Sequence, residues 1–173
     1  VCDDLLHVSM PANCIMSLTP GMVLEGNYGC FDDFIVNVDG TGSGSVTSSM
    51  VGETLPYIVT NSETGMWCWG EIFVEDKSGP LITNCDTVII NCLQDPRPVT
   101  QGGDVPVPTF VDCFPFTTVF MDMATPGTCN DEFSQIIMRI WTATDSLGNV
   151  SSCNQIIVIE RVSLLDLTVD CPA

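Results

Sequence analysis

The sequence predicts an all-β protein built from two tandem antiparallel β-sandwiches that are cross-linked by disulfide bonds. Apolar residues alternate with a period of two over many short runs, as they do in half-buried strands. Glycine, proline, asparagine and aspartate separate these runs, as expected for tight turns. Ten cysteines are spread along 173 residues, which favours disulfides. Helix signals are almost absent.

The first half of the chain contains three predicted strands in which the two faces differ in polarity. Their apolar positions are Leu6, Val8 and Met10, then Phe34, Val36 and Val38, then Leu55, Tyr57 and Val59. His7 and Ser9 lie on the opposite face of the first strand. We therefore expect each strand to bury one face against a core and to expose the other.

The second half repeats this pattern. A short β-branched run covers residues 88–90, and longer alternating runs cover residues 136–141 and 156–159. Turn signals lie between them at Gly102-Gly103-Asp104, Pro126-Gly127 and Leu147-Gly148-Asn149. Short strands at this spacing predict antiparallel sandwiches.

An internal repeat divides the chain. The stretch CWGEIFVED begins at Cys68, and the similar stretch CNQIIVIER begins 85 residues later at Cys153. Each copy contains a cysteine, a last strand and an acidic exit, and the period is the length of an immunoglobulin-like domain. The predicted domains are therefore residues 1–77 and 78–161.

Residues 162–173 follow the second domain as a linker or as a donor strand to the next domain or subunit. Leu165, Leu167 and Val169 alternate with polar residues, so this segment resembles a strand with one apolar face. Such a strand is unstable alone and should pair with an edge of its own chain or of a further copy. Cys171 would then have a partner in a neighbour.

The cysteines indicate an oxidising, extracellular location. None forms a C-x-x-C pair, so the spacing typical of zinc and thioredoxin-like sites is missing. The disulfide candidates are Cys2, Cys14, Cys30, Cys68, Cys85, Cys92, Cys113, Cys129, Cys153 and Cys171. Their pairing cannot be deduced from the sequence. No signal peptide or membrane-spanning stretch is recognisable, which fits a mature secreted segment or part of a longer protein.

The charge balance limits the partners. Twenty-two acidic residues face four basic ones, for a formal net charge of −18. Nucleic acid and anionic membrane surfaces are therefore excluded as expected partners. Such a chain attracts cations and repels its own copies at low salt. Its acidic surface is either simply solvated or stabilised by calcium.

The second domain resembles the hyalin-repeat family, whose modules occur in large bacterial extracellular surface and adhesin proteins. The resemblance rests on TATDSLGNVSSCNQIIVIE, with a family-like turn, cysteine and final strand at Ala143, Asp145, Gly148, Asn149 and Cys153. The linker EDKSGPLITNC is similar to the family's opening, and the first domain resembles a module that accompanies such repeats. Many relatives have a further cysteine where this chain has Ser146-Leu147. The resemblance implies an immunoglobulin-like sandwich with a role in adhesion or extracellular scaffolding.

Calcium is the cofactor for which the sequence offers ligands, because calcium prefers several carboxylate and carbonyl oxygens. The candidates are Asp32 and Asp33 beside Cys30, Glu75 and Asp76 at the domain junction, and Asp145 and Asn149 in the turn before the last strand. Plain solvation is the alternative for the first two pairs. For Asp145 and Asn149 the alternative is capping of a turn in which Gly148 adopts the unusual backbone angle.

No catalytic constellation is recognisable, and an enzyme is not expected. His7 is the only histidine, and it lies on a polar strand face, so no Ser-His-Asp or Cys-His site is predicted. We expect core or inter-sheet packing for Trp67, Trp69 and Trp141, with a carbohydrate-stacking platform as the alternative.

The leading hypothesis is a non-catalytic structural protein of the cell surface. Copies of it, or neighbouring repeats of a longer chain, would join head to tail into a filament or a long adhesin by β-strand addition through residues 163–171. The alternative is a glycan- or protein-binding adhesion module of a larger secreted protein. That alternative predicts an exposed aromatic patch around Trp67 and Trp69.

Overall fold

The fold is all-β, as the sequence predicts. The computed structural model describes residues 1–26, 28, 30–39, 41–128 and 131–161. The chain forms two compact units. The first contains residues 1–79 together with two later segments, 112–115 and 145–149. The second contains the described residues of 80–111, 116–144 and 150–161. The predicted linker or donor strand at 162–173 lies outside the described residues.

The first unit contains six strands in chain order. They are β1 (Leu5–Ser9), β2 (Ile15–Ser17), β3 (Phe34–Val38), β4 (Ser45–Thr47), β5 (Thr54–Asn61) and β6 (Trp67–Glu75). A four-residue helix, α1 (Pro20–Val23), and a 3-10 turn at Ser48–Met50 complete it. The strand order is β1-β6-β5-β3 in one sheet and β2-β4 in the other.

The second unit has six strands as well. They are β7 (Leu81–Thr83), β8 (Val88–Asn91), β9 (Thr109–Val111), β10 (Phe116–Pro126), β11 (Phe133–Asp145) and β12 (Val150–Glu160). A 3-10 turn covers Val99–Gln101. The strand order is β10-β11-β12-β8 in the larger sheet and β7-β9 in the smaller one.

The two larger sheets share one design. In each, the last strand runs antiparallel to the strand before it and parallel to an early strand. Ile72 of β6 pairs with Leu6, and Ile157 of β12 pairs with Val88. Since Ile72 and Ile157 are 85 residues apart, the sequence repeat corresponds to a repeat in strand pairing. The parallel pair is the feature that period-two patterns cannot reveal, because they do not encode strand direction.

Alternating side chains of the first unit fill an apolar core. Val8, Val38, Val59, Ile72 and Val74 are all buried there. Tyr57 lies among them, and its hydroxyl donates a hydrogen bond to the main-chain oxygen of Asp3 at 2.7 Å. Burial is the main cause that raises the pKa of Tyr57 to about 12. Tyr57 therefore remains a neutral donor at physiological pH.

The core of the second unit is partly polar. Ile137, Ile157 and Ile159 form its apolar part, but Arg139 and Gln155 are also buried. Arg139 donates to Asp122 through Nε at 2.7 Å and through Nη2 at 2.8 Å. The guanidinium also lies 4.7 Å from the centre of the Phe120 ring. Pairing and stacking offset the cost of burying this charge.

Six of the ten cysteine candidates form three disulfides. Cys2 bonds Cys68 in the first unit, and Cys85 bonds Cys153 in the second. In each unit the first cysteine lies just before the strand that pairs in parallel with the last strand, and the second cysteine lies in that last strand. The third bond joins Cys14 to Cys113 within the first unit. Cys30 and Cys92 are free and exposed. Cys129 and Cys171 lie outside the described residues. These bonds indicate an oxidising compartment such as the cell exterior.

Candidate functional site

Three carboxylates from distant parts of the sequence meet in the first unit. Asp76 follows β6, Asp112 follows β9, and Asp145 ends β11. One oxygen of each lies within 4.8 Å of the others. Asp145 is buried, and the other two are half-buried. This is the one group of three metal-ligating side chains found among the described residues.

The turn 145–149 holds Asp145 in place. Oδ1 accepts hydrogen bonds from the main-chain nitrogens of Leu147 at 2.9 Å and Asn149 at 2.8 Å. Oδ2 accepts from the Asn149 side-chain nitrogen at 2.8 Å. Gly148 has a φ of +92°, a left-handed angle that glycine adopts without strain. The turn-capping roles predicted for Asp145 and Asn149 are therefore present.

Local hydrogen bonds also orient the other two acids. Asp112 Oδ1 accepts from the main-chain nitrogen of Phe114 at 2.8 Å, and Asp76 Oδ1 accepts from that of Ser78 at 3.0 Å. The Asn149 side-chain nitrogen donates to the main-chain oxygen of Asp76 at 3.2 Å. Asn149 thus bridges two members of the cluster through its nitrogen.

The electrostatics of the cluster are unfavourable for three negative charges. Burial raises the pKa of Asp76, and the neighbouring charges of Asp112 and Asp145 raise it further. Burial also raises the pKa of Asp145, but the donors from Asn149, Leu147 and Gly148 outweigh it and lower that pKa overall. A cation at this place would relieve the repulsion between the three acids.

The donor set fits calcium. Calcium takes oxygen ligands at 2.3–2.6 Å, so two ligands of one ion lie within about 5 Å of each other. Of the predicted ligands, Asp76 and Asp145 belong to the cluster. Asn149 turns its amide nitrogen toward them, which is the wrong atom for a cation. Asp112 was missed by sequence reasoning, and its position beside Cys113 is the signal that could have indicated it.

The remaining calcium candidates lie elsewhere. The Glu75 carboxylate forms an ion pair with Lys77 Nζ at 2.6 Å, and His7 Nδ1 lies 3.4 Å from the same oxygen. The hydrogen bond from Lys77 is the main cause that lowers the pKa of Glu75. Asp32 and Asp33 form the turn before β3, where the main-chain oxygen of Asp33 accepts from Ser62. The structure brings neither group to the cluster of Asp76, Asp112 and Asp145.

The tryptophans divide into two environments. Trp141 is buried with 3% exposure, and its Nε1 donates to Gln155 at 3.0 Å. Trp67 and Trp69 are 66% and 62% exposed, so the packing role expected for these two is wrong. Trp67 and Trp69 lie on one face of β6, because side chains two residues apart share a strand face. Exposed Ile58 of β5 is the pairing partner of Trp69 and lies on the same face. The two tryptophans form the exposed aromatic patch that the binding-module alternative requires.

An apolar groove opens near this patch in the first unit. Its volume is about 420 Å³. The lining includes Val1, Leu24, Tyr28, Phe34, Val59 and Met66. Val59 lies at the bottom because it is a buried core residue, whereas Met66 is exposed at the rim. The groove suits an apolar side chain or strand rather than a charged ligand.

A membrane-spanning helix is not found in the described part of the chain.

Comparisons with known proteins are remote. No protein-family model matches the sequence, so the resemblance to the hyalin-repeat family stays a prediction. No curated protein sequence matches either. Among solved structures, human mucin-like protocadherin EC1-2 is 10% identical, with 92% of this chain and 96% of that chain covered and a TM-score of 0.29. Human protocadherin-24 EC1-2 is 12% identical, with 91% and 93% covered and a TM-score of 0.30. At these TM-scores the likeness carries no conclusion about the function of this chain.

Proposed function

We propose that the chain is a non-catalytic structural module of the cell exterior, which joins head to tail with copies of itself by β-strand addition. The observation that carries the proposal is the pairing pattern that the larger sheets of the two units share. The 85-residue offset that relates β6 to β12 places Leu167 at the position of Ile82, the middle residue of β7. Residues 163–170 therefore carry the pattern of an opening strand that follows β12 as β7 follows β6.

Removal of this segment tests the proposal. A chain that ends at Arg161 should remain monomeric, whereas the full chain should form concentration-dependent oligomers. Light scattering coupled to size-exclusion chromatography measures the mass, and electron microscopy shows whether the oligomers are linear. Linear growth is expected because a head-to-tail contact does not close on itself. Equal oligomerisation of both chains would contradict strand addition through this segment.

Calcium bound among Asp76, Asp112 and Asp145 is the second part of the proposal. It rests on the close approach of their oxygens and on the raised pKa of Asp76. The ion would hold the segments 112–115 and 145–149 against the rest of the first unit by neutralising their charge. Calcium binding is measured directly by isothermal titration calorimetry of protein previously treated with a chelator.

A glycan-binding module is the second candidate function, and the exposure of Trp67 and Trp69 favours it. Neighbouring aromatic side chains on a flat sheet face can stack on sugar rings, and Thr60 lies opposite Trp67 as a hydrogen-bonding group. A panel of neutral oligosaccharides titrated against tryptophan fluorescence tests it. Binding that is lost in Trp69→Ala supports this function, whereas an unchanged spectrum with every sugar contradicts it.

A further inference from the structure

The outward-facing side chains of β3, β5 and β6 form rows across the larger sheet of the first unit. In one row Asn37 of β3 pairs with Ile58 of β5, and Ile58 pairs with Trp69 of β6. In the next row Thr60 of β5 pairs with Trp67 of β6. The tryptophans therefore lie at one side of this face, and Asn37 lies two strand spacings away, at about 10 Å.

A cavity of about 620 Å³ opens on the same face, over β3 and β5. Its lining includes Asn37, Ile58 and Thr60, together with Gly42 in the turn after β3. Because Ile58 is the pairing partner of Trp69, the cavity begins one strand away from the exposed indole rings. A volume of this size is typical of sites for small organic ligands.

The polar side chains of the cavity can bond to a ligand. The Asn37 amide and the Thr60 hydroxyl each donate and accept hydrogen bonds. Neither group has a hydrogen-bond partner among the residues that the structure describes. An exposed aromatic ring can stack on the apolar face of a sugar, while amide and hydroxyl groups bond to its hydroxyls. Both kinds of group are present on this one face.

The charge of this face restricts the kind of sugar. The three strands contain no lysine or arginine. Glu71 is exposed on the same side of β6 as Trp69, two residues further along the strand. The whole chain also carries a net charge of −18. An acidic sugar would therefore be repelled, whereas a neutral sugar would not.

We propose that this face binds a neutral oligosaccharide of at least two sugar units, with one ring stacked on Trp69 and another in the cavity against Asn37 and Thr60. The inference rests on the glycan-binding function proposed above, and it adds a second subsite and a minimum length of the ligand. The minimum length follows from the span of about 10 Å between β6 and β3, which is wider than one sugar ring. A single sugar can occupy one subsite but not both.

Titrations of the full chain, followed by tryptophan fluorescence, test the length and the charge of the ligand. The neutral probes are cellotetraose, maltotetraose, mannotetraose and chitotetraose, each compared with its own monosaccharide. At least one tetrasaccharide should bind about tenfold or more tightly than its monosaccharide, because two linked rings occupy two linked subsites. Tetragalacturonic acid is the acidic probe, and it should not bind.

Two matched substitutions test the cavity as a subsite. Asn37→Ala should weaken binding of the tetrasaccharide about fivefold, as expected for the loss of one hydrogen bond. Asn154→Ala is the control, since Asn154 is also an exposed asparagine of a strand but lies in the second unit. The control should retain the affinity of the natural chain, and circular dichroism shows whether both variants are folded.

Nuclear magnetic resonance provides a measurement that needs no substitution in the cavity. The side-chain amide signal of Asn37 should shift as the tetrasaccharide saturates the natural chain. The corresponding signal of Asn154 should stay in place.

The possible results separate this inference from the function on which it rests. Equal affinities of Asn37→Ala and Asn154→Ala, or an Asn37 signal that does not move at saturation, overturn the cavity as a subsite but not stacking on Trp69. Equal affinities for a tetrasaccharide and its monosaccharide overturn the minimum length, and binding of tetragalacturonic acid overturns the preference for neutral sugars. Binding that Trp69→Ala retains, or no binding of any neutral probe, overturns the glycan-binding function and the inference together.

Discussion

Gln155, a buried polar residue of the second unit, has hydrogen-bond partners within that unit. Gln155 accepts from Trp141 Nε1 at 3.0 Å and donates to the main-chain oxygen of Pro106 at 2.9 Å. The same alternating run that predicted a strand gives no hint that its buried face includes glutamine and arginine. An inward polar residue is stable only when its partners are buried at the right place.

Gln155→Leu should destabilise the protein. The substitution introduces an apolar side chain of similar size and leaves the Trp141 donor and the Pro106 acceptor unpaired, at about 1–3 kcal/mol for each. Urea unfolding followed by tryptophan fluorescence measures the loss. Gln101→Leu is the control, since Gln101 is exposed, and it should change the unfolding free energy by less than about 0.5 kcal/mol. Equal stability of the two variants would show that the buried bonds are not needed.

The effect of Asp76→Asn on the stability of the protein should have opposite signs without and with calcium. At pH 7 without calcium the variant should be more stable than the natural chain, because the folded state raises the pKa of Asp76 and therefore disfavours its charge. The gain should shrink as the pH falls through that raised pKa, and it should disappear only below the ordinary pKa of an aspartate, where Asp76 is neutral in both the folded and the unfolded state. Thermal unfolding between pH 4 and 7 measures the difference.

With calcium present, Asp76→Asn should be less stable than the natural chain. A ligand at one hundred times its dissociation constant stabilises a protein by about 2.7 kcal/mol, and Asp76→Asn removes one of three carboxylates that would bind it. Asp32→Asn removes one charge outside the cluster and should retain the full response to calcium. A response that Asp76→Asn and Asp32→Asn share would refute binding at this cluster.

At the scale of elements, the last strands of the two units share an alternating pattern but pack into different cores. Gly70 of β6 and Gln155 of β12 are 85 residues apart and both face inward. A Cβ at Gly70 would lie 1.9 Å from the main-chain oxygen of Asp3 and 2.7 Å from the Tyr57 hydroxyl, so only glycine fits. The equivalent place in the second unit has room for a glutamine side chain. Strand alternation is shared, whereas the local packing is not.

The disulfide between Cys14 and Cys113 connects the start of β2 to the segment that carries Asp112 of the acidic cluster. Cys113 is adjacent to Asp112 and holds the segment 112–115 in the first unit. The double substitution Cys14→Ser and Cys113→Ser should lower the free energy of unfolding by about 3–5 kcal/mol, because it opens a long covalent loop. It should also weaken calcium binding at least tenfold, as calorimetry would measure.

The control for this prediction is the double substitution Cys30→Ser and Cys92→Ser. It changes the same number of cysteines, and both are free and exposed. Stability and calcium affinity should remain those of the natural chain. Full calcium affinity without the bond between Cys14 and Cys113 would show that Asp112 is positioned by other contacts.

At the scale of the whole molecule, the net charge of −18 opposes contact between copies. Raising the sodium chloride concentration from about 10 mM to 150 mM shortens the Debye length from about 30 Å to about 8 Å and screens this repulsion. Self-association of the full chain should therefore strengthen at least tenfold over that range. Sedimentation equilibrium measures the change, and the chain that ends at Arg161 serves as the non-associating control. Association that weakens with salt would contradict an apolar contact between copies.

The sequence by itself determined the strand content, the internal repeat and the oxidising environment. Period-two alternation, an 85-residue offset and ten dispersed cysteines are local or one-dimensional signals, and each can be read along the chain. The outward side of β6 shows the limit of such signals: Trp67 and Trp69 look like core residues by composition, but the alternation places them on the solvent face.

Only the tertiary structure decided which distant residues meet. The disulfide partners, the approach of Asp112 to Asp76 and Asp145, and the space over Val59 depend on strand order and on loops that return to the first unit. Spacing along a chain does not encode strand order, because the same alternating pattern pairs equally well in parallel and antiparallel arrangements. Long-range packing selects one arrangement, and the site follows from it.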